Sequence, residues 1–523
     1  DMGSAHAAPQ SALRFDGGAV MFEGLLTAFG DLAAPWPLLL IFAGTALGLM
    51  VGALPGLSSP MAIIVLLPIT YQMETLGAFQ LMVGIYVGTK LGGSYSSILL
   101  RTPGTPAAAC TALDGFPMAE KGRAGEAIGY AVMASTAGGL IGWLAAVSFV
   151  PFIAAVALHS EPADIALIGI AGLILVSAFV RGSMVRGLIG VMLGLLIASV
   201  GYDVQDGIER YTFSNPMLAS GISFAAVLVG FFGLTVVLSD LDMVGRRSEL
   251  VSTKLNTELP SIADFFRRWK AWTIGTLYGV VIGAIPGVGA DGSTWLSYAT
   301  VKNQSKDPPP EEFGKGVPEG ILAPESSNNA TTGGTMIPML TLGIPGDAST
   351  AIMLGAMVLH GLQPGVTLMQ TSAPLVYGIL AAIFVANIMM FFIGWNASRA
   401  FIAILRRDRS LLFPFIIVFA SIGAFAADND VFAIYIAIVC GIAGYFLEKR
   451  GFSVVTIVLG AVLGPIIEYN VRLGLAYSNG DWMVFTATWP RTLICTVIVF
   501  LILNEIYRAV GRRSASRAAS ENA

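Results

Sequence analysis

The chain has 523 residues, 55% hydrophobic and only 12% charged, with a mean hydropathy of +0.76 and a formal charge of −4. Soluble domains carry about 25% charged residues, so a soluble globular protein is excluded. Many segments run for about 18 or more nearly uncharged residues, the length that crosses a lipid bilayer, and the chain reads as a polytopic membrane protein.

Residues 1–20 are rich in Ala, Gly and Ser and lack an apolar core, so they read as an added leader outside the fold, with Met21 as the natural start. Residues 36–68 are apolar but interrupted at Leu54-Pro55-Gly56-Leu57-Ser58-Ser59-Pro60, which predicts one broken crossing. A polar-centred helical hairpin is expected over 77–113, built on Gly92-Gly93-Ser94-Tyr95-Ser96-Ser97 and Thr102-Pro103-Gly104-Thr105-Pro106. Crossings follow at 127–157, 165–180, 184–201 and 218–238. The linker 239–271 is basic, with Arg246, Arg247, Lys254, Arg267, Arg268 and Lys270. At its end Phe265, Phe266, Trp269 and Trp272 sit among these charges, as in a helix lying in the membrane interface.

The second half repeats the order of the first. A broken crossing over 272–300 carries Gly283-Ala284-Ile285-Pro286-Gly287, matching Gly52-Ala53-Leu54-Pro55-Gly56. A second hairpin is expected over 322–358, read as two short helices around the polar stretch 326–350. Within it Pro345-Gly346 stops one helix and Asp347 caps the next, Ala348 to Leu359. Crossings are expected at 374–396, 411–427, 431–447, 453–468 and 485–507, ahead of a tail at 511–523. The fold class is therefore an all-α membrane protein of two inverted repeats, 21–238 and 272–510, with about 11 crossings. With the N-terminus outside and the C-terminus inside, the basic links near Lys121, Arg181, Arg399–Arg409 and Lys449 fall inside, and the acidic links near Glu161, Asp203 and Asp428 fall outside.

Broken helices at matched positions of two halves point to a transporter's binding site. Helix starts offer free N–H groups and partial positive charge, which suits carboxylates. The residues expected to meet a small carboxylate are Pro55, Gly56, Lys90, Gly93, Ser94, Ser96, Thr102, Gly104, Thr105, Asn329, Thr332, Gly333, Gly346 and Asp347. Ser58, Ser59, Gly287, Gly289, Asn328 and Asn329 would supply oxygens to Na⁺. Lys90 and Arg101 bracket the first polar core; each either meets a substrate carboxylate or snorkels. Glu325, after Pro324, either caps the preceding break or lies in the mouth. His6, His159 and His360 are scattered, and Cys110, Cys440 and Cys495 have no metal or disulfide spacing. No Walker loop or nucleophile triad appears, so neither an enzyme nor a nucleic-acid partner is expected.

At these residues the chain resembles the large membrane subunit of the tripartite tricarboxylate transporters. The resemblance rests on Gly52–Gly56, Gly92–Ser94, Thr102–Pro106 with Asp114-Gly115, Gly283–Gly289, Ala323-Pro-Glu-Ser-Ser-Asn-Asn-Ala330 and Gly343–Gly346. It covers 21–510. It implies a bacterial inner-membrane carboxylate transporter driven by Na⁺ or H⁺, with no tightly bound cofactor. It also implies a small membrane subunit and a periplasmic substrate-binding protein as partners. The competing class is a cation/proton antiporter or a passive channel without an organic substrate; an antiporter would call on Asp347 or Glu325 as proton carrier.

Overall fold

The structure, a computed structural model, describes residues 17–54, 56–157, 159–179, 183–203, 205–241, 258–396, 401 and 413–521. Pro55, Arg181, Arg246, Arg247, Lys254 and the 399–409 arginines named above lie outside the described residues. In chain order the helices of the first half are α1 (Gly17–Leu32), α2 (Pro35–Ala53), α3 (Ser59–Tyr71), α4 (Thr75–Leu100), α5 (Ala112–Glu120), α6 (Ala124–Ala157), α7 (Pro162–Phe179) and α8 (Met184–Ala198). They are followed by α9 (Pro216–Ala219), α10 (Phe224–Leu228) and α11 (Thr235–Leu241), the last two joined by a π-helical segment, Val229–Leu234. The short α12 (Ile262–Arg267) leads into α13 (Trp269–Gly283), α14 (Gly289–Gln304), α15 (Glu319–Leu342), α16 (Ala348–Leu359), α17 (Leu368–Thr371) and α18 (Ala373–Asn396). Then come α19 (Phe413–Asp428), α20 (Val431–Lys449), α21 (Val454–Tyr477) and α22 (Trp489–Glu521). Two short antiparallel strands, Gly201–Tyr202 and Glu209–Arg210, close the loop after α8. By length and composition α2, α6, α18, α20 and α21 suffice to cross a membrane. α1 begins at Gly17, so its first turn falls in the stretch read as leader.

Glycines four residues apart decide how the helices meet. On α2, Gly44, Gly48 and Gly52 face Leu81, Ile85 and Thr89 of α4, while Gly84 and Gly88 of α4 face back. A Cβ on Gly84 would stand 2.7 Å from the Ile41 carbonyl oxygen and 2.8 Å from the Thr45 nitrogen. Only bare glycine lets two backbones pass this closely, the means by which helices associate in lipid. Both numbers rise together, so α2 and α4 run in the same direction. The second half repeats the device: Gly275, Gly279 and Gly283 of α13 pack on Ala323, Ser327 and Thr331 of α15.

This parallel packing corrects the two broken crossings. α2 ends level with Thr89; α3 starts there, the Ser59 hydroxyl lying 2.5 Å from that of Thr89. α3 then returns to the end where α4 begins: the Tyr71 and His360 rings lie 6.2 Å apart, and Thr75 Oγ1 is 3.4 Å from His360 Nδ1. Thus 36–68 is not one broken helix running straight on: α2 and α3 form a pair that reverses at 54–58 beside α4. After Leu100 the chain turns back at Arg101, in the left-handed region (φ 56°), and Gly104 returns beside Gly93. In the second half α13 and α14 form the corresponding pair, α15 is the long helix, and Gly343 (φ 69°) makes the turn. α15 runs antiparallel to α4, with Ser94 opposite Glu325 and Tyr86 opposite Thr335.

Of the polar stretch 326–350, residues 326–342 are continuous helix. The hydroxyls of Thr331, Thr332 and Thr335 turn back onto the carbonyls of Asn328, Asn329 and Thr331 at 2.6, 2.7 and 2.8 Å. A helix can hold such a polar run dry because most of its hydroxyls, Ser327 excepted, find an acceptor one turn earlier. The true break is 343–347. Gly92 to Ser97 likewise lie inside α4.

The opposite end of α4 gathers the turn into α5, the stretch before α15 and the start of α13. Buried Asp114 Oδ1 accepts the backbone N–H groups of Gly314, Gly316 and Val317, each at 2.9 Å, and Tyr298 donates to its Oδ2 at 2.9 Å. Lys121 donates to the Lys315 carbonyl at 2.6 Å, and Arg268 pairs with Glu319. Of the expected aromatic face, Phe265 is buried and stacks on Trp272 at 5.4 Å, whereas Phe266 and Trp269 are exposed.

Candidate functional site

Four chain breaks converge on one cavity of about 800 Å³. Its walls include Ser58, Ser59 and Pro60 at the start of α3, Thr105 to Ala107 after the turn from α4, Gly287 to Gly292 at the start of α14, and Asp347 to Ser349 at the start of α16. Lys90 enters from the side. The remaining wall is Phe231, Phe232 and Val236 from the π-helical turn and α11, Trp295 of α14, and Glu448 with 451–455 between α20 and α21. Arg186, at the start of α8, reaches Gly451, so the cavity extends from the breaks toward that end of the helices.

The helix starts differ in what they offer. Asp347 caps α16 through a capping box: its Oδ1 accepts the Thr350 N–H at 2.9 Å, and the Thr350 hydroxyl lies 2.9 Å from the Asp347 nitrogen. Its Oδ2 accepts from Tyr86 at 2.7 Å and pairs with Lys90 Nζ at 3.4 Å. The helix start expected to hold a substrate carboxylate therefore holds one from its own chain. Ser58 and Val288, at the caps of α3 and α14, make no side-chain cap bond. The first N–H groups of those two helices, of which Pro60 supplies none, therefore have no side-chain cap from Ser58 or Val288, and Asp291 stands in the first turn of α14. The return after α4 begins with a three-residue 3₁₀ turn, Ala107–Ala109, rather than an α-helix, and Thr105 accepts the Ala108 N–H at 3.4 Å.

Of the expected substrate residues, Lys90, Thr105 and Asp347 line the cavity. Gly104 and Gly346 do not; they clasp the breaks together. A Cβ on Gly104 would run into the Gly52 carbonyl oxygen, and one on Gly346 would stand 2.6 Å from the Gly283 oxygen. Gly287 N–H donates to the Gly346 carbonyl at 2.9 Å. Gly93 packs on Thr105, Gly333 packs on Gly142 of α6, and the Ser96 hydroxyl bonds the Gly93 carbonyl at 3.1 Å. Gly56 (φ 89°) shapes the turn into α3, Thr102 sits in the turn after α4, and the Thr332 hydroxyl serves its own helix. Ser94 donates to Glu325 at 2.6 Å. Arg101 is exposed, over the Phe116 ring at 5.5 Å, and does not bracket the cavity.

The expected Na⁺ set divides. Ser58, Ser59, Gly287 and Gly289 line the cavity, but Asn328 and Asn329 lie a helix layer away. There Asn328 donates to the Lys90 carbonyl at 3.2 Å and Asn329 contacts Met390 Sδ at 3.2 Å. Glu325 is neither a cap nor in the mouth: it is fully buried among Ser94, Thr111 and Ser135. The aromatic wall was not anticipated. Phe231 and Phe232 read as ordinary spanning residues, and Asp291, Gly292 and Trp295 were passed over although they follow Gly287-Val-Gly289 directly.

Outside the membrane the loop after α8 carries a charge network. Arg472 pairs with Asp203 at 2.8 Å and Asp206 at 2.9 Å, and Arg210 bonds Glu468 at 2.6 Å. The Gln205 and Asp206 N–H groups, with Arg472 and Arg210 beside them, hold the Asp203 carboxyl below the usual range. Hydrogen bonds from Tyr202 and Thr212 do the same for Glu209.

Residues 38–459 match the tripartite tricarboxylate transporter TctA family. The chain is 36% identical over 488 residues to the uncharacterized 52.8 kDa protein of the TAR-I ttuC′ 3′ region of Agrobacterium vitis, covering 92% of this chain and 96% of that protein. It is 38% identical over 229 residues to the uncharacterized protein of the TAR-II ttuC′ 3′ region of the same organism, covering 43% of this chain and 94% of that protein. No solved structure matches the chain.

Proposed function

Because the chain belongs to the tripartite tricarboxylate transporter TctA family, we propose that it imports di- or tricarboxylates by symport across the bacterial inner membrane. A Na⁺ or H⁺ gradient would drive it, a periplasmic binding protein would deliver the substrate, and a small membrane subunit would complete the assembly. The observation that carries this reading is the meeting of four chain breaks at one cavity, with two uncapped helix starts and Lys90 in its wall. Helix starts bind carboxylates through backbone N–H groups and the axial dipole. The carboxylates would rest on the starts of α3 and α14, with Lys90 adding a charge-assisted bond. The oxygens of Ser58 and Ser59 and the carbonyls near Gly287 and Gly289 would suit a hard cation beside the anion.

We read the two halves, 21–238 and 272–510, as inverted repeats joined by the linker 239–271. The α2–α3 pair opens toward one end of α4, and the α13–α14 pair opens toward the other. Lys121, Arg123, Arg186, Lys302, Lys315 and Lys449 fall at the end toward which the cavity extends, making that end cytoplasmic. The arginines at the other end, Arg210, Arg472 and Arg491, are all paired with acids. On this count α4, α6, α7, α8, the α10–α11 unit, α15 and α18–α22 make about 11 crossings. Alternating access would come from the hairpin-bearing helices moving against the wall formed by α10–α11 and α20–α21.

The test is uptake of labelled di- and tricarboxylates by proteoliposomes under imposed Na⁺ or pH gradients, with and without the binding protein. Accumulation that needs a gradient is expected. Monodisperse protein that accumulates no carboxylate under any of these conditions would overturn the reading.

A further inference from the structure

Glu325 is a buried acid that the cavity does not use. Its side chain is wholly inaccessible. Three hydroxyls from three different elements close around it: Ser94 of α4 at 2.6 Å and Thr111 of the α5 arm on Oε1, and Ser135 of α6 at 3.0 Å on Oε2. The titratable groups facing it are few. From the α5 arm come Cys110 and Asp114, and Asp114 is committed to three backbone N–H groups and Tyr298 of α14. On α4, Lys90 lies one turn from Ser94 and is paired with Asp347. From α6 comes Ser135 alone. Among the described residues no Lys, Arg or His forms an ion pair with Glu325.

An isolated carboxylate in such a place is costly, and the group ordinarily takes a proton instead. A hydroxyl both donates and accepts. The cage can therefore serve a neutral acid, which gives its O–H to one neighbour and accepts from the other two. The α5 arm ties this cage to the cavity: Thr105 to Ala107 are cavity wall, and Thr111 is four residues further on.

Building on the transport reading above, we propose that Glu325 takes up and releases a proton in each transport cycle, and that its charge decides whether the 105–111 arm stays seated. Protonated, it holds α4, α6 and the arm together around α15. On release the O–H bond breaks, the proton passes to entering water, and the carboxylate keeps the electron pair. A charged carboxylate draws in more water, and the arm that walls the cavity loosens.

The tests use the full chain in proteoliposomes with labelled citrate and labelled malate. Glu325→Gln mimics the neutral acid in shape. It is expected to keep exchange of labelled for unlabelled substrate at equal pH, because exchange by the neutral, loaded form needs no release of the proton. It is expected to lose accumulation driven by a pH gradient, which is worth about tenfold per pH unit for each proton carried. Ser135→Ala should shift the pH midpoint of uptake while leaving exchange in place. Infrared difference spectra of purified protein should contain a carboxylic-acid carbonyl band that titrates and is missing in Glu325→Gln. Accumulation that follows Na⁺ alone in the parent protein, or Glu325→Gln that still accumulates under a pH gradient, overturns the proposal and leaves the transport reading standing. If the parent moves neither probe, the transport reading is in trouble, and the infrared band still decides whether Glu325 binds a proton: its absence from the parent, or its persistence in the variant, overturns the proposal.

Discussion

Asp347 divides its two oxygens between jobs, and the division can be separated by substitution. Oδ1 caps α16 through Thr350, while Oδ2 faces Lys90 at 3.4 Å and Tyr86 at 2.7 Å. Asn caps a helix about as well as Asp, so Asp347→Asn keeps the cap and removes the charge. Lys90, 7% exposed, then loses its only anionic partner among the described residues and is free to turn to a bound carboxylate. A hydrogen bond to a charged group contributes about 1.5–3 kcal/mol. The cavity admits water, so the lower end applies, and about 1.4 kcal/mol is tenfold in affinity. Substrate binding by Asp347→Asn, followed by calorimetry or by half-saturation of exchange, should therefore tighten about tenfold. Lys90→Gln should weaken binding by a similar factor. Asp347→Ala, which loses the side-chain cap on the Thr350 N–H but keeps its own backbone N–H bond to the Thr350 hydroxyl, should also lower stability by about 1 kcal/mol. Unchanged or weaker binding by Asp347→Asn, at normal protein levels, would refute the idea that the two carboxylates share Lys90.

Gly84→Val places a branched side chain against the Ile41 oxygen and Thr45 nitrogen and should cost about 1–3 kcal/mol or more, read as a lower melting temperature in detergent; Gly30→Ala, with open space around it, should leave melting unchanged. In a background lacking Cys110, Cys440 and Cys495, single cysteines at Glu120 and Glu311 should label from one membrane face and one at Gln363 from the other; labelling of Glu311 from the Gln363 face would defeat the re-entrant α13–α14 pair. The carboxyls of Asp203 and Glu209 are held below their usual range, so their contribution to the loop is present above the unfolded values of about 4 and fades as pH falls through the lower folded values. Hydrogen-exchange protection across 201–210, corrected for the intrinsic pH dependence of amide exchange, should therefore hold at pH 5 and drop below about pH 4; equal protection at both would argue against the network.

The parts legible in the sequence are those written in local chemistry. Pro345-Gly346-Asp347 stops one helix and caps the next, and the chain does this at those residues. The matched Gly-Pro-Gly stretches mark true breaks, three of whose flanks meet at the cavity with the fourth. Direction after a break was not legible. Nothing within Leu54 to Pro60 says whether α3 continues or returns; that is decided by the packing of α2 and α3 on α4. The polar run 326–335 misled for a different reason: amides and hydroxyls suit a loop, but they also suit a helix whose hydroxyls bond back to it. The glycine spacing on α2 and α4 was in plain view and would have announced a close parallel pair. The cavity's aromatic wall comes from helices whose apolar residues look like any others that face lipid.

Asp114 completes the backbone of a segment made much later. Its acceptor oxygen waits for the N–H groups of Gly314, Gly316 and Val317, some 200 residues downstream. During synthesis α5 can pack on α4 and α6, but its carboxylate meets these partners only once the chain has reached residue 317. The order of assembly runs against the order of the chain: the first half is finished by the second. A chain halted in the 242–257 linker would keep the contacts of α5 with α4 and α6 and lack those of Asp114, so this carboxylate marks the joining of the two halves.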